Sequence, residues 1–342
     1  MNDKKFNANI SNFTCTFMVD GVAHPLLNYF EKIFYPALSD KSLFKSVKST
    51  NTTYHITDLK LIKINDDVIA LTGKHVKRTI LEISEDYSIR DGFFGSSKKE
   101  PSAPYATFIL TLNNHRLIYY KNKKGAPSLR NFQDTCRKIL SKYTYRERKK
   151  MKDELLKNNR YFNGKKYDYI KDFSEEVLDK IYPKADLNIV AIESEHLVSK
   201  KFEEINKISS VTFRFHPTNN EPLNYDSVFE RGFAILKDTE SNSMNQTLNS
   251  PKNKNAIRNA IVHSNGRTDY TINARNNLGE SLVITPKHVS ENFEISVDLD
   301  EDIEKTTTKV YNQLDTNEAL TLETEENKSL FNKLKSRLIA LL

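Results

Sequence analysis

The sequence predicts an α+β protein of two domains, each a largely antiparallel sheet with covering helices, joined by a basic helical segment. Three features carry that expectation. Short runs alternate apolar and polar residues with a period of two, the mark of strands that turn one face to a core. Brief polar breakers separate successive runs, which suits hairpins and antiparallel pairing. Between these blocks lie stretches with apolar residues at helical spacing, which read as helices packed on the sheets. At 342 residues the chain also exceeds the roughly 250–300 residues at which single cores stop growing.

The first strand alternates Phe13, Cys15, Phe17 and Val19 with Asn12, Thr14, Thr16 and Met18, so it predicts one buried and one partly wet face. AHPLLNYFEKIFYPAL spaces Leu27, Phe30, Ile33 and Phe34 as a core-facing helix. YHITDLKLIKI, DVIALTG and RTILEISED follow as strands. DGFFGSSKKEPSAP reads as a loop, and YATFILTL and HRLIYYKN flank Asn113-Asn114 as a hairpin. SLRNFQDTCRKILSKY carries the apolar stripe Leu129, Phe132, Cys136, Ile139 and Tyr143 of a helix. Thr144 with Glu147 three residues on then predicts a capping box opening a second helix through Leu156. That helix has a thin apolar face, so the boundaries fall at 1–143, a basic linker over 144–184, and a second domain over 185–342.

The second domain opens on the strand LNIVAI and the helix EHLVSKKFEEINKI, then the strand SSVTFRFHP. The Asn- and Ser-rich DTESNSMNQTLNSPKNKN reads as a loop. AIRNAIVHS is a short helix, TDYTINARN and ESLVITP are strands about Leu278-Gly279, FEISVDLD is a last strand, and SLFNKLKSRLIALL a closing helix.

No apolar run approaches the roughly 18 residues of a membrane span, so no membrane insertion is expected. MNDKKFNANISNF has no apolar leader core, which argues for a cytoplasmic protein. The two cysteines, Cys15 and Cys136, sit among apolar neighbours, which excludes a disulfide framework or a cysteine zinc site. There is no Walker loop, GxGxxG, GxSxG or HExxH, and no cofactor or metal is expected. Glu193, Glu195 and His196, with Asp186 nearby, form the densest acidic cluster. It lacks the lysine a nuclease site would add, and Ser194-Glu195 reads instead as the cap of the following helix.

Charge is unevenly placed. The chain has 52 Lys and Arg against 45 Asp and Glu, a net +7; Lys121 to Lys171 alone holds seventeen cations against five acids, leaving −5 elsewhere. Pairing of Glu147 and Asp153 with nearby cations accounts for part of this as a solvated helix, but the excess is too large for internal pairing. A basic block in such a chain points to a nucleic-acid partner. The candidate contacts are Lys138, Lys142, Arg146, Arg148, Lys149, Lys150, Arg160, Lys165 and Lys166, which neutralise phosphates. Tyr143, Tyr145 and Tyr161 among them add hydroxyl contacts or stacking on bases. A second set, Lys252, Lys254, Arg258, Arg267 and Arg275, is a candidate facing wall of a groove.

Two resemblances follow. ATFILTLNNHRLIYY with the SLRNFQDTCRKIL helix, and GRTDYTINARNNLGESLVIT, resemble in pattern the Rex exclusion protein A family of lambdoid phages and related prokaryotic antiviral proteins. That resemblance implies a homodimer that clamps double-stranded DNA without sequence specificity and signals infection to a partner protein. DNA is thus favoured over RNA. Separately, Arg258, Asn259 and His263 match the RNxxxH pattern and resemble the HEPN ribonucleases. This second resemblance implies metal-independent RNA cleavage, with the His moving protons and the Arg stabilising charge across a dimer interface.

Overall fold

The computed structural model describes residues 3–88, 92–157, 161–162, 165–166, 175–218, 227–264, 266–321 and 325–342. The fold is α+β, as expected, and its sheets pair antiparallel throughout the ladders assigned.

The large sheet is built on β1 (Asp3–Val19), followed by β2 (Val22–Pro25), β3 (Lys45–Val47), β4 (Thr52–Lys63), β5 (Ile69–Ser88), β6 (Gly92–Ser102), β7 (Tyr105–Thr111) and β8 (Arg116–Lys121). Between β2 and β3, Leu26–Tyr29 is a 3-10 turn, Phe30–Phe34 a π turn and Tyr35–Ser39 the short helix α1. The expected core-facing helix is therefore three turns of different pitch. Proline has no N–H, so Pro36 cannot donate to the Lys32 carbonyl four residues back, which instead accepts from the Tyr143 hydroxyl at 3.5 Å. Leu27, Phe30, Ile33 and Phe34 are all buried, as their spacing predicts.

Next come α2 (Leu129–Lys157), the two-residue strands β9 (Tyr161–Phe162) and β10 (Lys165–Lys166), and α3 (Glu175–Ile181). After them lie β11 (Ala185–Ala191), α4 (Glu195–Glu203), β12 (Ile205–Phe215), α5 (Ser227–Asp238), β13 (Met244–Asn249) and α6 (Lys254–Ser264). The chain finishes with β14 (Asp269–Asn276), β15 (Ser281–Ile284), β16 (Phe293–Asp298), α7 (Ile303–Leu314), α8 (Glu318–Thr321) and α9 (Glu325–Ile339).

The large sheet runs β11-β1-β8-β7-β5-β4-β3, with β16 and β2 also on β1 and β6 on β5. One face packs Phe13, Cys15 and Phe17 against Phe132, Cys136 and Ile139 of α2 and Phe331 and Leu338 of α9. The other packs Ala8 and Ile10 under Val310 and Leu314 of α7 and Leu320 of α8. Because both faces are covered, Asn12, Thr14 and Thr16 are buried rather than wet. The small sheet runs β13-β12-β14-β15, and its core joins Val211, Phe213, Tyr270 and Ile272 to α4, α5 and α6.

Sheet pairing does not follow the division of the sequence at 143/144 and 184/185. LNIVAI and FEISVDLD both pair with β1, Cys15 opposite Leu187 and Lys5 opposite Ser296. The small sheet is thus enclosed in sequence by strands of the large one. Four local expectations are corrected. DGFFGSSKKEPSAP is mostly β6, paired along the far half of β5. DTESNSMNQTLNSPKNKN contains β13, an edge strand held by β12. The helix expected to run through EINKI stops at Glu203, and Ile205 already pairs with Asn276. Finally, the two helices around Thr144 are one. The Thr144 side chain is buried and its hydroxyl donates back to the Leu140 carbonyl at 3.1 Å, so it sits inside the helix instead of capping a new one.

Among the described residues no helix is long and apolar enough to cross a membrane.

Candidate nucleic-acid interface

The basic block is mostly the second half of α2, and its cations divide into two groups by what they touch. At one end, Arg137 donates from Nε to the Leu187 carbonyl and from Nη2 to Asn188 Oδ1, both at 2.6 Å, which ties α2 to β11. Lys142 donates to the Phe44 carbonyl at 2.8 Å and lies over the Phe44 ring. Arg146 pairs with Asp40 at 2.5 Å and Glu147 at 3.2 Å and stacks over Tyr143. Arg148, its side chain only 12% exposed, donates from Nε to the Tyr182 carbonyl at 2.9 Å and pairs with Asp179. Burial pushes the half-covered Tyr143 hydroxyl up to about 12. Lys142, Tyr143, Arg146 and Arg148 thus hold α2 to the rest of the fold, and much of their charge or polarity is already engaged.

The second group faces water. Lys138, Tyr145, Lys149 and Lys150 are exposed, and Tyr145 is 71% exposed. With a rotation of roughly 100° per residue, Lys138, Tyr145 and Lys149 fall within one narrow stripe, and Lys150 lies about 100° further round the helix. Among the described residues no carboxylate lies within ion-pair distance of Lys138, Lys149 or Lys150. From Lys138 to Lys149 the helix rises about 16 Å. Duplex DNA presents one negative charge per ~1.7 Å of axis, so such a stripe faces many phosphates, and the phenol between the lysines can reach a phosphate oxygen or a base.

Arg160 lies outside the described residues. Tyr161, Lys165 and Lys166 belong to the short ladder in which Tyr161 pairs with Lys166 and Phe162 with Lys165.

The second basic set does not converge as one wall. Lys252 is exposed, and Lys254 donates to the Ile205 carbonyl at 2.8 Å, where β12 begins. Arg275, also exposed, lies near the same end of the small sheet because β14 runs antiparallel to β12. Arg267 is half-buried at the opposite end, just before β14 starts, and Arg258 lies one turn along α6 from Lys254. Sequence reasoning missed Lys207, which joins Arg275 in cross-strand register. No period-two signal marks it, because bulges space the buried Ile205, Ile208 and Val211 by threes and alternation begins only at Val211.

The RNxxxH residues lie on α6, whose Ile257 and Ile261 are buried in the small-sheet core. Arg258 donates to Asn259 Oδ1 at 3.2 Å, and His263 Nδ1 is 2.7 Å from the Asn259 carbonyl. A carbonyl only accepts, so Nδ1 carries the hydrogen and neutral His263 keeps the Nε2 lone pair available. Five residues separate Arg258 from His263, about 140° around the helix, so one copy of α6 does not bring the two side chains together.

Glu193, from the acidic cluster, is half-buried between β11 and α6. Its two carboxylate oxygens accept from Ser264 Oγ at 3.0 Å and Gly266 N at 2.8 Å. Burial outweighs those two donors and pushes its carboxyl up to about 7. Ser194 precedes α4 as expected, but its hydroxyl bonds Glu291 at 2.5 Å rather than capping the helix. A cleft of about 810 Å³ borders Asp20, Asp179 and Asp186, set against Lys180, Lys184 and His216. Lys180 is already paired with Asp20 at 2.9 Å. That lining does not attract a polyanion, which leaves the exposed stripe of α2 as the better electrostatic candidate.

Compared with known proteins, the chain matches no family model and no curated protein sequence.

Proposed function

We propose that this chain binds nucleic acid without sequence preference, duplex DNA ahead of RNA, through the exposed face of α2. The observation that carries this reading is the group formed by Lys138, Tyr145, Lys149 and Lys150, whose cations face water with no ion-pair partner among the described residues, while Lys142, Arg146 and Arg148 of the same helix are engaged. Lysine ammonium groups release condensed counterions when they meet phosphates, and this gives affinity that does not depend on base identity. The resemblance to the Rex exclusion protein A family extends the reading. It implies a homodimer that senses or acts on DNA in phage defence or exclusion and passes the signal to an effector protein.

The test is fluorescence anisotropy with labelled duplex DNA and single-stranded RNA across a salt series, followed by a denaturing gel of the same samples. Binding that weakens steeply with salt and leaves the ligand intact supports the reading. Salt-insensitive or sharply sequence-specific binding overturns it.

The second reading is a metal-independent ribonuclease using Arg258 and His263, with Asn259 between them. It is favoured by the fixed hydrogen on Nδ1, which leaves Nε2 of an exposed imidazole ready to take a proton from a ribose hydroxyl. RNA cleavage that survives EDTA and is lost in His263→Ala is its required outcome.

A further inference from the structure

The small sheet turns one face to α4, α5 and α6, and among the described residues no hydrophobic cluster forms on the other. That second face carries Ser210, Thr212, Thr247, Thr271 and Asn273. Thr212 and Thr247 share a hydrogen bond at 3.0 Å across β12 and β13, and Asn273 donates to Ser210 at 3.0 Å across β14 and β12. Apart from the exposed Val283 opposite Asn273 on β15, this surface is hydroxyls and amides, which suit a polar ligand better than an apolar one.

At one end of this face the register sets Lys207 of β12 directly against Arg275 of β14. Both are exposed, and among the described residues neither has an ion-pair partner. Like charges directly opposite in an antiparallel pair destabilise it, so the fold alone gives no reason for this pairing. The ladder is also irregular on both sides of the pair. Asn206 and Ser209 are extra residues of β12 that have no partner on β14. Bulges of this kind re-aim side chains and are common beside functional sites.

Lys252 and Lys254 reach the same end, since Ser250 N donates to the Ser209 carbonyl at 2.8 Å and Lys254 to the Ile205 carbonyl at 2.8 Å. Of the acids in these turns, Glu204 is paired with Lys201, while Glu203 and Glu280, the latter accepting only from the neutral Asn276 amide, remain as counter-charge.

We propose that Lys207 and Arg275, with Lys252 beside them, form a phosphate-binding surface that holds a second stretch of nucleic-acid backbone, separate from the stripe on α2. This rests on the nucleic-acid reading above. A phosphate between the two cations turns their mutual repulsion into two attractions. The hydroxyl and amide groups on the adjoining face donate to further phosphate and sugar oxygens, contacts that position a duplex without reading its bases. One chain then grips the polymer at two places. Once α2 has engaged, the second contact forms within the complex and adds affinity through effective concentration.

The experiment compares Lys207→Ser, Arg275→Ser and the double variant with the unaltered chain by anisotropy on a fluorescein-labelled DNA duplex over a salt series, alongside thermal melting. Each single change is expected to lower the slope of log affinity against log salt by about 1, and the double change by about 2. The melting temperature is expected to hold or rise, because each change removes a repulsion. A full wild-type slope in the double variant, while changes on α2 do lower it, overturns this inference alone. A lower melting temperature also overturns it, because the pair then supports the fold. Failure of the unaltered chain to bind duplex DNA overturns the parent reading and this one together.

Discussion

Replacing Lys138, Lys149 and Lys150 together by serine separates charge that serves binding from charge that serves the fold. All three are exposed and have no carboxylate partner among the described residues, so their loss removes no internal contact. Surface changes of this kind usually stay within about 0.5 kcal/mol of the parent stability. Their effect on binding is much larger. Each lysine–phosphate contact adds about 0.9 to the slope of log affinity against log salt on duplex DNA, so three contacts add about 2.7. Over a fourfold rise in salt this corresponds to about a 40-fold difference in how much affinity is lost. The assay is anisotropy titration at four or more salt concentrations, paired with urea denaturation of each protein. The triple variant is expected to keep its denaturation midpoint and to lose about 2.7 from its salt slope. An unchanged slope would refute the assignment, and a collapsed midpoint would show that these lysines belong to the fold after all.

Arg148→Met tests the opposite group: it leaves the Tyr182 carbonyl and Asp179 without their guanidinium, and urea denaturation is expected to show a loss of about 2–4 kcal/mol. Gly232→Ala places a methyl 2.6 Å from the buried Phe215 ring, and such overpacking is expected to cost about 1–3 kcal/mol in the same assay. Acid stability should follow two buried imidazoles, His75 and His115, both lowered to about 3 by burial. Their unfolded forms protonate near 6.5, so the stability they contribute is full above that pH and falls as pH drops toward 3, by about 1.4 kcal/mol per unit for each. Glu193 acts with the opposite sign: raised to about 7, it stabilises below its unfolded value near 4.5, and that contribution is lost as pH rises to 7. Denaturation midpoints between pH 4.5 and 6.5 should therefore fall gently on acidification, and more steeply below 4.5. Glu193→Gln should remove the offset and steepen the upper part of the curve.

Periodicity made much of the fold legible. Phe13, Cys15 and Phe17 face one core, Phe132, Cys136 and Ile139 pack on them, and Val211, Phe213 and Phe215 face another. These residues are placed by local spacing and burial, which a one-dimensional pattern records. What the pattern did not record were contacts between distant segments. Thr144 and Glu147 have the spacing of a cap, but the helix runs through them because Met151 beyond is buried in the same core as Ile139. β13 has a loop-like composition and is a strand because β12 supplies its partners. The concentration of charge was also visible, but its division was not. Arg148 and Lys149 are adjacent in sequence, yet one grips the Tyr182 carbonyl and the other faces water. Only the position of α3 beside α2 distinguishes them.

The threading of β1 between partners from the far half of the chain has a consequence during synthesis. Asp3–Ala8 must wait for Phe293–Asp298, and Ser11–Phe17 for Ala185–Ala191, before their backbone amides and carbonyls on those sides are matched. At a ribosomal pace of about 5–20 residues per second, the first of those intervals lasts roughly 15–60 s. Until Ala185–Ala191 emerges, the nascent chain also carries Phe13, Cys15 and Phe17 on an unmatched edge, the kind that recruits other chains. Long-range pairings of this sort also slow refolding. Recovery from denaturant should therefore improve with dilution and with a holdase chaperone, and a chain cut short before Phe293 should accumulate as aggregate.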